Sequence, residues 1–307
     1  MALHPRIVSL LDTLDQIGFP KIGSMSAPQM RAFLAQMEAA APAGPEIYKV
    51  EDVVIPGPAG DVGARLYLPT QTPAAIIVYF HGGGWTLGTL NGYDSILRKL
   101  ALASDTSVLS IDYRLAPEHI FPAALEDAMA ATRWAFAGRH AFAVPGAKFL
   151  VAGDSAGGNL AAVISQCARG KKDFSISGQI LIYPCLDGDI DAPAMKKFEA
   201  PILTRDELSW FYDQYIPNRA QRSDPRFAPI RNHDLGHLPP AYIASAEYDL
   251  LRDEGERYAE KLQQAGNHVR SVLYSGMIHG FFALGDIPQA ASLCDDIGAF
   301  IRTLPKT

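Results

Sequence analysis

The stretch Gly153–Gly157, which reads Gly-Asp-Ser-Ala-Gly, constrains the fold of this chain more than any other. It lies between an apolar run that begins at Phe149 and a helix-forming run that begins at Asn159. A Gly-x-Ser-x-Gly sequence between a strand and a helix is typical of a nucleophile elbow, a strained turn that leaves the serine hydroxyl exposed. Glycine is needed on both sides because larger side chains would clash in so tight a turn. An ordinary strand-to-helix turn that uses glycine for close packing is the alternative that these five residues leave open.

Strands and helices alternate around this stretch. The apolar runs Ala74–Phe80 and Ile180–Tyr183 are typical of strands that are covered on both faces. Helical segments separate the strands and close the chain over Ile287–Leu304. The alternation predicts the α/β fold class, with a mostly parallel central sheet and helices on both faces. Two early strands, Ile47–Ile55 and Ala64–Leu68, look antiparallel and would occupy one edge of the sheet.

Two segments stand outside this alternation. Residues 2–18 and a run that begins at Ser26 or Ala27 predict two helices before any strand. Residues 186–238 contain no convincing strand and one helix, over Thr204–Tyr215, which is unusual inside a strand–helix repeat. We therefore expect residues 1–45 and 186–238 to form a helical cap, and residues 46–185 and 239–307 to form the two parts of the core. A pair of packing helices with no role in substrate binding is the alternative for the N-terminal segment.

Composition excludes several classes of function. The 307 residues carry a net charge of −6 and no basic cluster interleaved with aromatic residues, which argues against a nucleic-acid partner. No apolar run approaches the roughly 20 residues of a membrane-spanning helix, and the N-terminus suits an amphipathic helix better than a signal peptide. Cys167, Cys185 and Cys294 lack metal-ligand spacing, and their odd number argues against a disulfide framework. We expect a cytoplasmic protein with neither a metal nor a cofactor.

A serine nucleophile requires a general base, and histidine has the side chain whose pKa lies nearest the working pH. Of the eight histidines, His279 directly follows the last predicted strand, Val269–Tyr274. In open α/β sheets the site lies outside the carboxyl ends of the strands, so His279 is the best candidate. A histidine whose ring is satisfied by backbone groups in a turn is the alternative.

The acid that orients the base should lie between Ser155 and His279 in the chain, at another strand end. Asp249 and Glu247 both follow the predicted strand Ala241–Ala246, and we choose Asp249 with Glu247 as the fallback. Asp253 and Glu254 fall in the first turn of the next helix, where acidic side chains are favoured and are expected to face solvent.

The oxyanion formed during acyl transfer is best stabilised by backbone N–H groups, because these are fixed in advance of the reaction. One such group belongs to Ala156, the residue after the serine. The glycine run His81–Trp85 directly follows a predicted strand and can turn further N–H groups toward a substrate. The alternative, a phosphate cradle, lacks a Gly-x-Gly-x-x-Gly or Gly-Lys-Ser/Thr continuation, and Trp85 would block the approach.

Taken together, these motifs resemble the bacterial hormone-sensitive-lipase family of α/β-hydrolases, which act on carboxylic esters. The matching blocks follow the family's order and are 81–85, 112–119, 121–127, 153–160, 251–255 and 277–281. The resemblance implies an α/β-hydrolase fold with a helical cap, and Asp154 places the chain in the subgroup with Asp before the serine. Leu250 is a departure, because the family usually has Pro after the catalytic Asp. The stretch Tyr113–Ala123 is expected to be scaffold.

By resemblance, Ser155 is the nucleophile, His279 the base and Asp249 its orienting acid, while the oxyanion donors are Gly83, Gly84 and Ala156. We also expect Trp85 and Phe281 to contact the substrate. The implied activity is hydrolysis of short- to medium-chain acyl esters, and a homodimer through the edge strand near the C-terminus is a family-level expectation.

Two other functions are compatible with this fold class. A ligand receptor on the same fold would lack a catalytic serine or histidine, whereas all three triad residues are present. Cleavage of an amide or a lactone uses the same triad and is left open. Acyl-chain preference should depend on apolar residues of the cap, of which the candidates are Met25, Met30, Phe33, Leu208, Phe211 and Tyr212.

Overall fold

A computed structural model describes residues 2–171, 173–197, 199–284 and 287–305 of the chain. Its centre is an eight-stranded sheet with the strand order β1-β2-β4-β3-β5-β6-β7-β8. The strands are β1 Lys49–Gly57, β2 Gly60–Leu68, β3 Ala75–Phe80, β4 Thr106–Asp112, β5 Lys148–Asp154, β6 Gly178–Ile182, β7 Ala241–Tyr248 and β8 Val269–Ile278. Among the described strands, both antiparallel pairings involve β2, one with β1 and one with β4. The expected α/β fold, with an antiparallel pair at one edge, is confirmed.

Helices cover both faces of the sheet and the carboxyl ends of its strands. Their bounds are α1 Pro5–Gln16, α2 Ala27–Ala40, α3 Asp94–Ser104, α4 Ala123–Ala137, α5 Ala156–Ala168, α6 Pro193–Lys197, α7 Arg205–Tyr215, α8 Arg252–Gln264 and α9 Pro288–Thr303. In the part of the chain that the structure describes, no helix combines the length and the apolar composition that crossing a membrane requires.

The central strands explain why the site lies where it does. Every residue of β3 is buried, as a strand covered by helices on both faces should be. Strands β3 and β5 are parallel neighbours in a register that pairs Phe80 with Gly153. Because both strands end at the same edge of the sheet, the glycine loop after Phe80 begins beside the turn that holds Ser155.

The segments 1–45 and 186–238 contain helices and short turns, with no strand among their described residues. In the second segment, α7 begins where expected because Thr204 and Glu207 form a capping box, in which each side chain bonds to the other's backbone N–H. The segment also contains α6 and two 3-10 turns, Arg219–Ser223 and Pro229–Arg231, which the sequence did not predict. These elements are too short to show the periodic apolar pattern by which a helix is predicted.

Candidate active site

Ser155 occupies a strained turn between β5 and α5. Its backbone has φ 54° and ψ −117°, in a region that side chains other than glycine rarely adopt. A Cβ atom on Gly153 would collide with the backbone of Gly157, and one on Gly157 would collide with the carbonyl oxygen of Phe80. Both flanking glycines are therefore required by backbone contacts. The helix begins at Ala156, three residues earlier than the sequence indicated, because the turn passes directly into α5.

Three side chains from three strand ends form a continuous hydrogen-bonded series. His279, in the turn after β8, has Nε2 2.9 Å from Ser155 Oγ and Nδ1 2.8 Å from Asp249 Oδ2. The Asp249 side chain is fully buried, and its other oxygen accepts a hydrogen bond from the Leu251 N–H at 2.8 Å. If Nδ1–H donates to Asp249, Nε2 is left free to accept the serine proton.

Two other acidic residues near Asp249 in the chain accept hydrogen bonds from backbone N–H groups. Glu247, the fallback acid, accepts a hydrogen bond from the Gly276 N–H at 2.7 Å and so braces β8. Glu254, expected to face solvent, is buried instead and accepts hydrogen bonds from the N–H groups of Leu186 and Asp187, both at 2.9 Å. Burial raises the pKa of Glu254 to about 8. The expectation for Glu254 is wrong because these two N–H groups, from a distant part of the chain, need a buried acceptor.

The glycine loop lies beside Ser155 in a conformation that glycine alone adopts readily. Gly83 has φ 104° and Gly84 has φ 59°, and a Cβ atom on Gly83 would collide with the Leu87 carbonyl. His81 anchors the start of the loop: its ring is buried, stacks on Tyr113 at 4.3 Å and has Nδ1 2.7 Å from the Gly82 carbonyl oxygen. Burial lowers the pKa of His81 to about 4, so this ring is uncharged at neutral pH.

A cavity of about 660 Å³ opens above Ser155 and His279, with Gly83, Gly84 and Ala156 also in its wall. The opposite wall is mainly apolar and comes from the two segments expected to form a cap. Its apolar members include Leu10, Leu11, Leu14 and Phe19 from α1 and the following loop, Leu34 and Met37 from α2, and Leu203, Leu208 and Phe211 from the second segment, while Asp15, Lys21, Glu38 and Glu207 also border it.

Only two of the six cap candidates, Leu208 and Phe211, line this cavity. Met30 and Tyr212 are instead buried in the apolar core. The α1 residues were not predicted to form cavity wall, although the spacing of Leu10, Leu11 and Leu14 placed them on one face of the helix. Sequence periodicity identifies such a face but cannot distinguish a face that packs against protein from one that borders an empty space.

The two residues expected to contact substrate differ in position. Trp85 is in the cavity wall, but its indole is 1% exposed and stacks on Tyr215 at 4.7 Å with an interplanar angle of 8°. Phe281 is fully buried between Tyr183 and Tyr274, with ring centroids 5.6 and 5.1 Å away, and is absent from the described cavity wall. The Phe281 ring thus packs beneath the His279 turn, and its contact with substrate stays a prediction.

The chain is similar in sequence and in structure to known α/β-hydrolases and esterases. A family model described as alpha/beta hydrolase fold matches residues 77–283. The carboxylic ester hydrolase LipN of Mycobacterium tuberculosis is 44% identical over 271 residues, which cover 84% of this chain and 70% of that protein. The carboxylesterase NlhH of the same organism is 40% identical over 300 residues, covering 94% of this chain and 92% of that protein. The solved structure of a hyperthermophilic esterase from the archaeon Pyrobaculum calidifontis superimposes with a TM-score of 0.89 at 37% identity, covering 99% of each chain.

Proposed function

Since this chain belongs to the hormone-sensitive-lipase family of α/β-hydrolases and is a carboxylic ester hydrolase, we propose that it cleaves short- to medium-chain acyl esters through an acyl-enzyme on Ser155. One observation carries the proposal. The hydrogen-bonded series from Asp249 through His279 to Ser155 ends at the floor of an apolar cavity.

In the first half of the reaction, Ser155 Oγ attacks the ester carbonyl carbon while His279 Nε2 takes the serine proton. The carbonyl oxygen becomes an oxyanion and accepts hydrogen bonds from the backbone N–H groups of Gly83, Gly84 and Ala156. Asp249 holds the Nδ1–H of His279 and stabilises the imidazolium that forms. The bond to the alcohol oxygen then breaks, and His279 gives its proton to the departing alcohol.

In the second half, water replaces the alcohol. His279 takes a proton from the water as its oxygen attacks the acyl carbon, and the same N–H groups bind the second oxyanion. Collapse of this intermediate breaks the bond to Ser155 Oγ, which recovers its proton from His279. The products are one carboxylic acid and one alcohol, and the enzyme returns to its starting state.

The cavity supports the proposed substrate class. Its volume of about 660 Å³ lies within the range of about 300–1,000 Å³ that is usual for small-molecule pockets. Burial of one methylene against an apolar wall contributes about 0.8 kcal/mol, or roughly a fourfold gain in affinity. We therefore expect kcat/KM to rise along a series of acyl chains until the cavity is filled, and then to fall.

We propose that residues 1–45 and 186–238 act as the cap over the core, because both segments supply cavity wall. A cytoplasmic location is supported by three unpaired cysteines. A homodimer through β8 is supported by the position of that strand at the edge of the sheet.

The test is turnover of p-nitrophenyl esters with acyl chains from two to twelve carbons by the wild type and by Ser155→Ala. We expect the substitution to lower kcat by at least about 10⁴-fold, because the nucleophile and its base act as a unit. Ser165→Ala is the matched control, since its buried hydroxyl donates to the Ala161 carbonyl within α5, away from the cavity wall. No turnover by the wild type, or equal turnover by Ser155→Ala, would contradict the proposed function.

A further inference from the structure

Asp154, the residue before the nucleophile, holds a buried carboxylate that the mechanism above does not use. It is 2% exposed and has several hydrogen-bond donors around it. Its Oδ1 accepts from the Tyr79 hydroxyl at 2.8 Å and from the Gly82 N–H at 2.9 Å. Its Oδ2 accepts from the Tyr93 hydroxyl at 2.8 Å, and the Tyr183 hydroxyl lies 3.5 Å away.

A buried carboxylate is costly unless hydrogen bonds replace the water it has lost. Burial raises the pKa of Asp154, while the hydrogen bonds from Tyr79 and Tyr93 lower it and so oppose that rise. The strained turn at Ser155 does not itself require an acid one residue earlier, because its geometry depends on backbone contacts at Gly153 and Gly157. The carboxylate and its three tyrosines therefore need a separate explanation.

The hydrogen bond from the Gly82 N–H explains why a carboxylate is buried at Asp154. Gly82 immediately precedes Gly83 and Gly84, and its N–H is shared between Asp154 Oδ1 and the Tyr93 hydroxyl, each 2.9 Å away. A run of three glycines has no side chains to hold its conformation, so an external attachment must limit its motion. Asp154 provides that attachment from the residue bonded directly to the nucleophile.

We propose that Asp154 is a positioning residue for the oxyanion hole. Its carboxylate ties the Gly82 amide to the end of β5, so that the N–H groups of Gly83 and Gly84 keep a constant separation from Ser155 Oγ. Tyr93, which bonds to both Asp154 and Gly82, extends this attachment to α3. The inference rests on the proposed esterase mechanism, because only a reaction that forms an oxyanion depends on this separation.

The histidine side of the site meets the same cluster. The Tyr183 ring packs against His279 with centroids 4.8 Å apart, and its hydroxyl faces Asp154. A change at Asp154 therefore reaches the oxyanion loop by a hydrogen bond and His279 by way of one aromatic ring. We expect the effect on the oxyanion loop to be the larger of the two, because Gly82 directly precedes the donor residues Gly83 and Gly84.

The main test is Asp154→Asn, which preserves shape but directs an amide N–H₂ toward groups that are themselves donors. We expect kcat to fall about 10²-fold with KM changed by less than about threefold, because the oxyanion exists only in the transition state. A merely structural role would lower the thermal midpoint without this split between kcat and KM. Affinity for a trifluoromethyl ketone analogue of the tetrahedral state should fall in parallel with kcat.

Two tyrosine variants keep the test decisive if Asp154→Asn fails to fold. Tyr93→Phe removes bonds to both Asp154 and Gly82 and should lower kcat about tenfold, whereas Tyr79→Phe, which removes one bond to Asp154, should have a smaller effect. Tyr242→Phe is the matched control, because it removes a buried hydroxyl that lies 2.9 Å from the Tyr274 hydroxyl, between β7 and β8. Its kcat should equal that of the wild type.

The inference is overturned if a folded Asp154→Asn, or Tyr93→Phe in its place, retains wild-type kcat and analogue affinity. This result can be told apart from failure of the proposed function. An active wild type with an inactive Ser155→Ala would leave the esterase mechanism standing and remove only the role of Asp154. An inactive wild type would instead remove the proposed function.

Discussion

The floor and the roof of the cavity are built differently. The floor holds Ser155 and His279 at the ends of β5 and β8, with Asp249 buried behind His279 at the end of β7, and neighbouring strands hold one another in register there. Each of these side chains has a defined hydrogen-bond partner. The roof is formed mainly by aliphatic and aromatic side chains from α1, α2 and α7, and part of it reaches the solvent, since Met37 is 41% exposed.

A small set of polar contacts attaches helix α2 of the roof to the core. Arg31 in α2 donates to the carbonyl oxygens of Thr86 at 3.1 Å and Ala116 at 3.2 Å, and also pairs with Glu118. The Thr89 hydroxyl donates to Glu38 at 2.6 Å. Reaction steps depend on placement within fractions of an ångström, whereas an apolar wall needs only the right volume. The core should therefore control the rate, and the cap should control which acyl group is accepted.

The largest predicted effect lies in the floor. Asp249→Asn should lower kcat about 10⁴-fold, because an amide cannot hold His279 in the tautomer whose Nε2 accepts the serine proton. Steady-state kinetics on a p-nitrophenyl ester measure this. Glu247→Gln is the matched control and should stay within about threefold of the wild type, since Glu247 bonds to Gly276 instead. A greater loss in Glu247→Gln than in Asp249→Asn would reverse the assignment of the orienting acid.

An intermediate effect is expected in the roof at Phe211. Its ring lies against Gly84 so closely that a Cβ atom there would collide with it, and it therefore bounds the space beside the oxyanion. Phe211→Ala should raise kcat/KM for acyl groups branched beside the carbonyl about tenfold relative to acetyl esters, because a bulky substituent then fits. The ratio of isobutyryl to acetyl ester turnover measures the change.

Trp210→Phe is the control for Phe211, because Trp210 is the adjacent residue of α7 but is absent from the described cavity wall. It should leave the ratio of isobutyryl to acetyl turnover unchanged. An unchanged ratio in Phe211→Ala as well would mean that the cap does not select the acyl group at this position.

The smallest effect should come from loosening the attachment of the roof. Arg31→Ala removes three hydrogen bonds between α2 and the core, so local opening of α2 becomes more frequent. We expect KM to rise about threefold with kcat nearly constant, and amide hydrogen exchange in α2 to accelerate. Arg133→Ala, which removes a solvent-exposed pair with Asp173, should change neither. A fall in kcat that exceeds the rise in KM would contradict the separation of floor and roof.

Much of this molecule could be predicted from its sequence, for physical reasons. Strand β3 is a continuous apolar run because both of its faces are covered, and α7 begins at a capping box; both signals are local. The family is confirmed. Short motifs were enough to indicate it, because tight backbone turns accept few types of residue. Glu254 was misjudged because the N–H groups that it binds, those of Leu186 and Asp187, come from a distant part of the chain.

The sequence by itself determined the fold class, the strained turn at Ser155 and the order in which serine, acid and histidine follow one another. These features depend on residue periodicity and on glycines whose need is local. Only the tertiary structure decided which acid meets His279, which cap residues border a cavity, and that Asp154 accepts a hydrogen bond from Gly82. Each of these depends on segments that are separated in the chain and lie side by side in the fold, a relation that no local pattern of residues contains.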